Sequence, residues 1–314
     1  MSTHIEEPRY LPITAEEKER LGIDTFDIII ISGDAYVDHP SFAAAILGRN
    51  LWSAGYTVGI ISQPDWRREE DFLALGIPRL FFAVSAGNVD SMVNAFTPNK
   101  KRRSEDTYSP GGIPKRPDRA TIVYTNKLRS LAPDSGIVIG GIEASLRRFA
   151  HYDYWSDSVR QSLLADAPAD LLVYGMGERT LRLIADRMNA GEPIRSLFDI
   201  PGTCRKMPVA EWRTHNRDDM VILPGYTEVK ADPKQYAEDP IGTILTNIDG
   251  CNNLLRLALE KKARFLLASS VEIYGQGTEK PMDEHYCGYI DCNQARAGYN
   301  EAKRTCEALT QSYR

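Results

Sequence analysis

The sequence predicts an α/β fold in which helices cover both faces of a mainly parallel, doubly wound sheet. The first observation is a series of short runs of apolar, β-favouring residues, which are typical of strands buried on both faces. The second is that helical apolar patterns separate these runs, so that strand and helix alternate five times. The predicted strands are residues 26–31, 57–61, 79–84, 137–139 and 171–174.

The elements between these strands follow from local signals. Thr14 with Glu17 three residues later is a capping pattern, which starts a short helix in an N-terminal arm of residues 1–24. Pro40 is expected at the first position of the helix that follows the first strand. Further helices are predicted over residues 120–131, from Trp155 onward with Val159 and Leu163 inward, and from Glu178 with Leu181, Ile184 and Met188 inward.

The chain is predicted to consist of three parts, namely the arm 1–24, an α/β domain 25–236 and a C-terminal segment 237–314. The apolar pattern changes near residue 236. Residues 241–259 then have the 3.6-residue period of a helix, residues 264–268 form an isolated apolar run, and a last helix follows. We therefore expect a helix–strand–helix segment at the C-terminus.

Composition excludes several classes of protein. The 314 residues carry a formal net charge of −5, which argues against a nucleic-acid partner. Because no run of about 18 apolar residues occurs, no membrane association is expected. The polar N-terminus lacks the features of a secretory signal, and the five scattered cysteines are typical of free thiols in a reducing compartment. These features predict a cytoplasmic protein.

A glycine pair after the fourth strand is the first candidate for a functional site. Residues 137–139 run through Gly140 and Gly141 into a helix that begins near Glu143. Bare backbone N–H groups and a positive helix end suit an anionic ligand. The stripe of this helix that is expected to face the core consists of Ile142, Leu146 and Phe149. The aromatic and ionisable residues that follow, 151–157, fit either a ligand site or a buried corner between helices.

The carboxyl ends of the parallel strands are the predicted location of any small-molecule site, because open α/β sheets bind ligands there. Polar and glycine residues gather at these ends, whereas the strand interiors are apolar. An alternative explanation is that the glycines only form tight turns between strand and helix. The candidate residues are Asp34, Asp38, His39, Asp65, Gly140, Gly141, Glu143, Gly175, Gly177 and Glu178.

A long irregular stretch, residues 85–119, follows the third strand. It is rich in charge, proline and glycine, with Lys100 to Arg103 giving four consecutive cations. Loops of this length in compact domains are usually functional or disordered. The stretch is interpreted either as a solvated loop or as a segment whose positive charge contacts phosphates.

Three of these stretches together resemble the N-terminal domain of the YgiQ-type (UPF0313) radical SAM proteins, over about residues 8–236. They are DIIIISGDAYVDHPSFAAAILGR from residue 27, GGIEASLRRFAHYDYWSD from residue 140 and ADLLVYGMGE from residue 169. The resemblance implies a sheet of the flavodoxin or Rossmann type. It also implies a possible partner, namely a radical SAM barrel on a separate chain.

The cofactors that this resemblance implies are a [4Fe-4S] cluster and S-adenosylmethionine. In the family, a CxxxCxxC motif of the barrel holds three irons, and the fourth iron binds S-adenosylmethionine. Cys287 and Cys292 are separated by four residues and have no third cysteine at the required interval. The cobalamin signature DxHxxG is also absent, because Asp38 and His39 are adjacent. We therefore expect no cluster, no metal and no other cofactor on this chain.

The C-terminal segment resembles an internal part of the extended short-chain dehydrogenases/reductases, the NAD-dependent sugar epimerases and dehydratases. The resemblance rests on SSVEIYG from residue 269 and YNEAK from residue 299, and covers about residues 239–314. It implies that Ser270 binds a sugar oxygen, Tyr299 transfers a proton and Lys303 holds the nicotinamide ribose. Tyr299 and Lys303 are four residues apart and share a helix face, where the ammonium favours the phenolate.

This second resemblance is incomplete, because the family's GxxGxxG dinucleotide turn and its substrate-binding half are missing. The segment is therefore interpreted as a fragment of a second Rossmann-type fold that is joined to the first family near residues 236–240. Three functions remain open: a ligand-binding accessory domain for an unknown small molecule, an NAD-dependent sugar-nucleotide enzyme, and a partner module for a separate radical SAM barrel.

Overall fold

The computed structural model describes residues 7–97, 99–215, 222–231, 240–267, 269–275, 286, 288–291 and 297–313. The chain divides into two compact units, Met1–Tyr226 and Thr227–Arg314. The sequence placed the domain boundary at residue 236, which lies outside the described residues.

A six-stranded sheet with the order β2-β1-β3-β4-β7-β8 forms the centre of the first unit. Its first five strands are parallel, and β8 pairs with β7 in the antiparallel direction. A separate hairpin is made by β5 and β6. The strands are β1 Ile28–Ser32, β2 Val58–Ser62, β3 Phe81–Ser85, β4 Gly136–Gly140, β5 His151–Asp153, β6 Ser158–Arg160, β7 Leu171–Val173 and β8 Thr203–Cys204.

The helices of this unit pack in pairs on the sheet, α2 against α8 and α3 against α5. The connections from β1 to β2 and from β2 to β3 run in opposite directions, so right-handed crossovers put the two pairs on opposite faces. The helices are α1 Ala15–Arg20, α2 Ala43–Ser53, α3 Glu69–Phe72, α4 Ser91–Ala95, α5 Ala120–Leu131, α6 Gly141–Leu146, α7 Leu163–Asp166, α8 Glu178–Asn189 and α9 Val209–His215.

The mainly parallel sheet and its covering helices confirm the predicted α/β class. Residues Ile28 to Ile31 of β1 are all buried, as expected for a strand covered on both faces. The capping box of α1 forms as predicted, because Thr14 Oγ1 accepts from the Glu17 N–H and the Glu17 carboxylate accepts from the Thr14 N–H. Helix α5 begins and ends where the sequence predicted.

Two predicted helix starts differ from the structure. Helix α2 begins at Ala43, because residues 40–42 form a turn in which the Phe42 N–H donates to the His39 carbonyl. The helix predicted from Trp155 is instead the second half of a hairpin. Tyr152 of β5 lies opposite Val159 of β6, an aromatic and β-branched pair that favours strand pairing.

The orientation of α6 reverses the sequence prediction. Ile142, Leu146 and Phe149 were expected to face the core, but about half or more of each side chain is exposed. Ala144 and Glu143 face inward instead and are buried. The Glu143 carboxylate finds hydrogen-bond donors in the interior, and these fix the rotation of the helix. The apolar stripe therefore lies on the surface.

The second unit contains two helices that pack against each other, α11 Pro240–Glu260 and α12 Ala297–Ser312, after the short α10 Tyr226–Ala231 at the junction. Both long helices were predicted. Cys251, Leu255 and Cys306 form its buried apolar cluster. The predicted strand at 264–268 is absent from its described residues, 264–267, where Leu266 is fully exposed. A strand requires a neighbouring strand for its backbone groups, and the described part of this unit offers none.

Within the part of the chain that the structure describes, none of the helices is both long and apolar enough to cross a bilayer.

Candidate functional site

A cavity of about 260 Å³ opens at the carboxyl edge of the central sheet. It lies where the strand order reverses, because the connection from β1 leads to β2 on one side and that from β3 leads to β4 on the other. Ligands of open α/β sheets bind at such a reversal. The last residues of four strands line the cavity, namely Ser32, Ser85, Gly140 and Val173.

Six of the ten predicted rim residues line this cavity. They are Asp34, Gly140, Gly141, Gly175, Gly177 and Glu178. They lie at or just after the ends of β1, β4 and β7. The carboxyl ends of neighbouring parallel strands meet at one edge of the sheet, so these residues come together there as expected. The remaining walls are mostly apolar and come from the strands and from α2 and α8. They include Ile30, Ile46, Leu47, Val84, Val138, Val173 and Leu181.

Two glycines at the cavity are required by backbone conformation and by space. Gly141 has φ of 83°, and a Cβ there would lie 2.6 Å from Ser85 Oγ. Gly87 has φ of 108°, and a Cβ there would lie 2.0 Å from Asp34 Oδ1. These glycines allow the loops after β1, β3 and β4 to approach one another closely.

The acidic and histidine pair of the first loop lies outside the cavity lining. The Asp38 carboxylate accepts hydrogen bonds from Arg49, whose guanidinium holds the pKa of Asp38 below its ordinary value. The same guanidinium donates to the Pro8 carbonyl at 2.7 Å, so this contact secures the N-terminal arm. His39 is exposed, and its Nδ1 accepts from the Ser41 N–H at 3.1 Å.

Asp65 and Glu143 also lie outside the cavity. Asp65 lines a separate open depression beyond β2, where it pairs with Arg67 at 3.5 Å. Glu143 is buried and accepts hydrogen bonds from the N–H groups of Ser91 and Thr121, at 2.8 and 3.0 Å. Ser91 is the first residue of α4 and Thr121 lies in the first turn of α5. Glu143 therefore caps two helices from the interior.

The basic stretch contributes a residue that sequence reasoning missed. Arg116 is 8% exposed, and its guanidinium donates to Asp34 Oδ1 at 2.7 Å and to the Ala86 carbonyl at 2.6 Å. The buried Asp106 carboxylate lies 3.4 Å from the same guanidinium. Asp34 also accepts from the Asn88 N–H at 2.7 Å. Arg116 thus fastens this segment to the loops after β1 and β3, and its part of the segment is packed rather than solvated.

The protonation of Asp34 depends on this contact. Burial raises the pKa of Asp34 above its ordinary value, whereas the Arg116 charge and the Asn88 N–H act in the opposite direction. A carboxyl whose folded pKa is raised stabilises the fold at low pH, and that contribution is lost as the pH rises through its folded pKa. Arg116 limits this loss at neutral pH.

The loop after β3 and the start of α2 also belong to the cavity but were not predicted. Ser85 ends β3 and Gly87 and Asn88 follow it, while Phe42 is the N-cap residue of α2 and residues 43–44 are in its first turn. The carboxyl end of β3 lies at the same edge of the sheet, and the end of this strand near Ser85 was recognisable in the sequence. The signal was missed because the long irregular stretch that follows β3 was interpreted as a loop.

The polar groups of the cavity are of two kinds. Helices α2 and α8 begin at the cavity, and their N-cap residues, Phe42 and Gly177, make no side-chain capping bond. Helix starts present backbone N–H donors and a partial positive charge. The charged side chains of the lining are both carboxylates, Asp34 and Glu178. The cavity therefore combines backbone donors, carboxylates and apolar walls.

The aromatic stretch 151–157 is a packed hairpin away from this cavity. Asp153 is buried and accepts a hydrogen bond from Arg119, and Ser156 Oγ donates to the same carboxylate. His151 is also buried, and burial lowers its pKa, so this imidazole is neutral at pH 7. Tyr152 and Tyr154 each remain about half exposed.

The dehydrogenase-like residues lie in the second unit. Lys303 Nζ is 5.9 Å from the centroid of the Tyr299 ring, so the two share one face of α12 as the spacing predicted. Ser270 is partly buried and precedes the short turn Val271–Tyr274. Arg304 of α12 donates to the Ile273 carbonyl at 2.5 Å and holds this turn against the helix.

The cysteines that the structure describes do not fit an iron–sulfur cluster, which needs three thiolates at one point. Cys204 belongs to the first unit, whereas Cys251 and Cys306 are buried in the second. Burial raises the pKa of the Cys204 thiol and raises that of Cys306 to about 11. No metal-binding group of three or more ligating side chains occurs among the described residues. Cys287 and Cys292 lie outside them.

The strand order and the sheet-edge cavity define a flavodoxin-like α/β domain with a cavity at its point of strand reversal. The chain belongs to the radical SAM N-terminal family, whose model matches residues 10–287. This match confirms the first predicted resemblance and extends it beyond residue 236. The comparisons do not support the predicted dehydrogenase fragment, because the family match covers Ser270 and much of the segment assigned to that fragment.

Curated relatives are longer than this chain. A UPF0313 protein of Thermotoga maritima is 53% identical over 230 residues, which are 73% of this chain and 40% of the relative. One of Methanosarcina acetivorans is 56% identical over 215 residues, covering 68% of this chain and 29% of the relative. One of Shewanella oneidensis is 50% identical over 236 residues, 74% of this chain and 30% of the relative. The chain thus spans well under half the length of these relatives.

Part of the chain also matches solved structures of the radical S-adenosylmethionine methyltransferase TsrM from Kitasatospora setae. One, with tryptophan and a SAM analogue bound, has a TM-score of 0.38 and 18% identity over 57% of this chain and 28% of that chain. Another, with cobalamin and a [4Fe-4S] cluster bound, has a TM-score of 0.39 and 19% identity over 58% of this chain and 27% of that chain.

Replacing Arg116 by methionine tests the buried contact. We expect Arg116→Met to lower the free energy of unfolding by about 3–5 kcal/mol at pH 8, because it leaves buried carboxylates without a counter-charge. The loss should be smaller at pH 5 than at pH 8, because removing the Arg116 charge raises the pKa of Asp34 further and favours its neutral form as the pH falls. Urea unfolding at both pH values measures this difference.

The matched control is Arg102→Met, which removes an exposed pair with Asp118 in the same segment and should cost less than about 1 kcal/mol. A small or pH-independent effect of Arg116→Met would contradict the role given to this residue.

Proposed function

We propose that the chain is the ligand-binding accessory domain of a radical SAM protein and that the sheet-edge cavity holds a small molecule. The main support is the position of the cavity at the strand reversal, where the fold leaves helix starts and loop backbones open to a ligand. Pockets for small molecules are mostly apolar with a few placed polar groups, and this lining has that character.

The size of the cavity limits the ligand. At about 260 Å³ it is slightly smaller than the usual range of ligand pockets, about 300–1,000 Å³. It therefore suits a fragment-sized molecule or one group of a larger molecule. Because the described cysteines do not fit a cluster, the radical chemistry of the family is assigned to parts of the relatives that this chain does not span.

Filling the cavity tests this proposal. Ala44 lines the cavity in the first turn of α2, so Ala44→Phe should occupy part of its volume. The probes are N-phenyl-1-naphthylamine and its 8-sulfonate, whose fluorescence rises in an apolar site. We expect Ala44→Phe to weaken whichever dye binds by about tenfold or more, since steric exclusion removes buried apolar contact.

The control for this test is Ala74→Phe, which adds the same ring at an exposed position outside the cavity. It should leave dye binding unchanged. Equal dye binding by wild type and Ala44→Phe, or no saturable binding of either dye, would refute a ligand site in the cavity.

A second role, docking of a radical SAM barrel, is favoured by the exposed stripe of α6. Leu146 is 65% exposed and Met176, in the loop after β7, is 83% exposed. Arg148 connects the residues after α6 with the loop after β7, because its guanidinium lies 4.8 Å from the Phe149 ring centroid and 4.9 Å from that of Tyr174. Exposed apolar patches of this kind mark interaction surfaces. The relatives have additional chain, which is available to cover this exposed apolar surface.

Co-purification tests this docking surface. The full chain is co-expressed with the tagged part of the Thermotoga maritima relative that lies beyond the matched segment. We expect Leu146→Asp to abolish capture, because a carboxylate cannot be buried in an apolar contact without a large desolvation cost.

The control is Ile77→Asp, which charges an equally apolar residue that is 48% exposed and precedes β3 at the amino edge of the sheet. It should be captured like the wild type. Capture of Leu146→Asp at the wild-type level would show that the partner binds elsewhere.

A further inference from the structure

The charge of the cavity lining limits which molecules can bind and therefore narrows the class of ligand for the cavity. Arginine, lysine and histidine are absent from the described residues that line the cavity. Its charged side chains are the carboxylates of Asp34 and Glu178. This observation opposes the anionic ligand that the glycine pair alone suggested.

The nearest cation does not change this balance. Arg116 lies behind Asp34, and its guanidinium is already engaged by Asp34, by Asp106 and by the Ala86 carbonyl. One cation between two carboxylates leaves this buried group with a net negative charge. Glu178 forms no ion pair with any described residue and adds a second negative charge at the start of α8.

The helix starts supply the opposing attraction. Each of α2 and α8 contributes about half a positive charge at its N-terminus. Two half-charges do not offset the net charge of the Asp34 group and that of Glu178. An anion would therefore lose its hydration shell without a full counter-charge, which is unfavourable in an apolar cavity.

We infer that the ligand group held in this cavity is neutral and largely apolar, with a hydrogen-bond acceptor that faces the backbone N–H groups at the starts of α2 and α8. Phosphate, sulfonate and carboxylate groups are excluded by Glu178 and Asp34. This inference rests on the proposed function, because it assumes that the cavity binds a small molecule.

The two dyes separate the alternatives because they differ only in a sulfonate group. We expect the wild-type protein to bind N-phenyl-1-naphthylamine at least about tenfold more tightly than its 8-sulfonate. This difference should be seen only in the cavity, that is, in the part of the dye binding that Ala44→Phe removes. Equal or tighter cavity binding of the sulfonate would overturn the inference, although it would still support a ligand site.

A charge reversal at the cavity provides the complementary test. Glu178→Lys places a cation at the lining, so binding of the sulfonate should tighten by about tenfold at low ionic strength, while that of the neutral dye changes little. Glu19→Lys is the control, since it makes the same charge change at an exposed position of α1. An equal gain in both variants would mean that net charge alone controls binding, and would refute the role of Glu178.

Discussion

The buried contact of Arg116 with Asp34 and Asp106 is the interaction on which the candidate site depends. It joins the segment after α4 to the loops that follow β1 and β3, at the point where the strand order reverses. Removing a partner from such a contact leaves a buried charge uncompensated, which costs far more than the contact itself gains. The loops of the cavity are therefore positioned by charge balance as well as by the sheet.

Much of the first unit follows from sequence, because its dominant signals are local. Buried parallel strands such as β1 are continuous apolar runs, and the rule for carboxyl ends correctly grouped Asp34, Gly141 and Glu178 around one cavity. The position of Arg116 could not be predicted in this way, because its partners are up to 82 residues away in the chain. A basic stretch gives no local sign of whether one of its cations is buried.

The rotation of α6 shows a second limit of sequence patterns. Apolar periodicity predicted that Leu146 faces the core, yet the hydrogen bonds that Glu143 accepts from the starts of α4 and α5 turn the opposite side inward. A buried carboxylate with several donors outweighs the burial of a few apolar side chains. The apolar stripe of α6 is therefore exposed in this chain, whose matched segment covers only 40% of the Thermotoga maritima relative.

The proposed function requires that the cavity at the carboxyl edge binds a ligand. Methyl NMR spectra of the labelled protein, recorded while N-phenyl-1-naphthylamine is added, test this most directly. We predict saturable shifts confined to cavity methyl groups such as those of Ile30, Val138 and Leu181, with Leu309 of α12 unaffected. Shifts confined to exposed residues, or spread over both units without saturation, would contradict it.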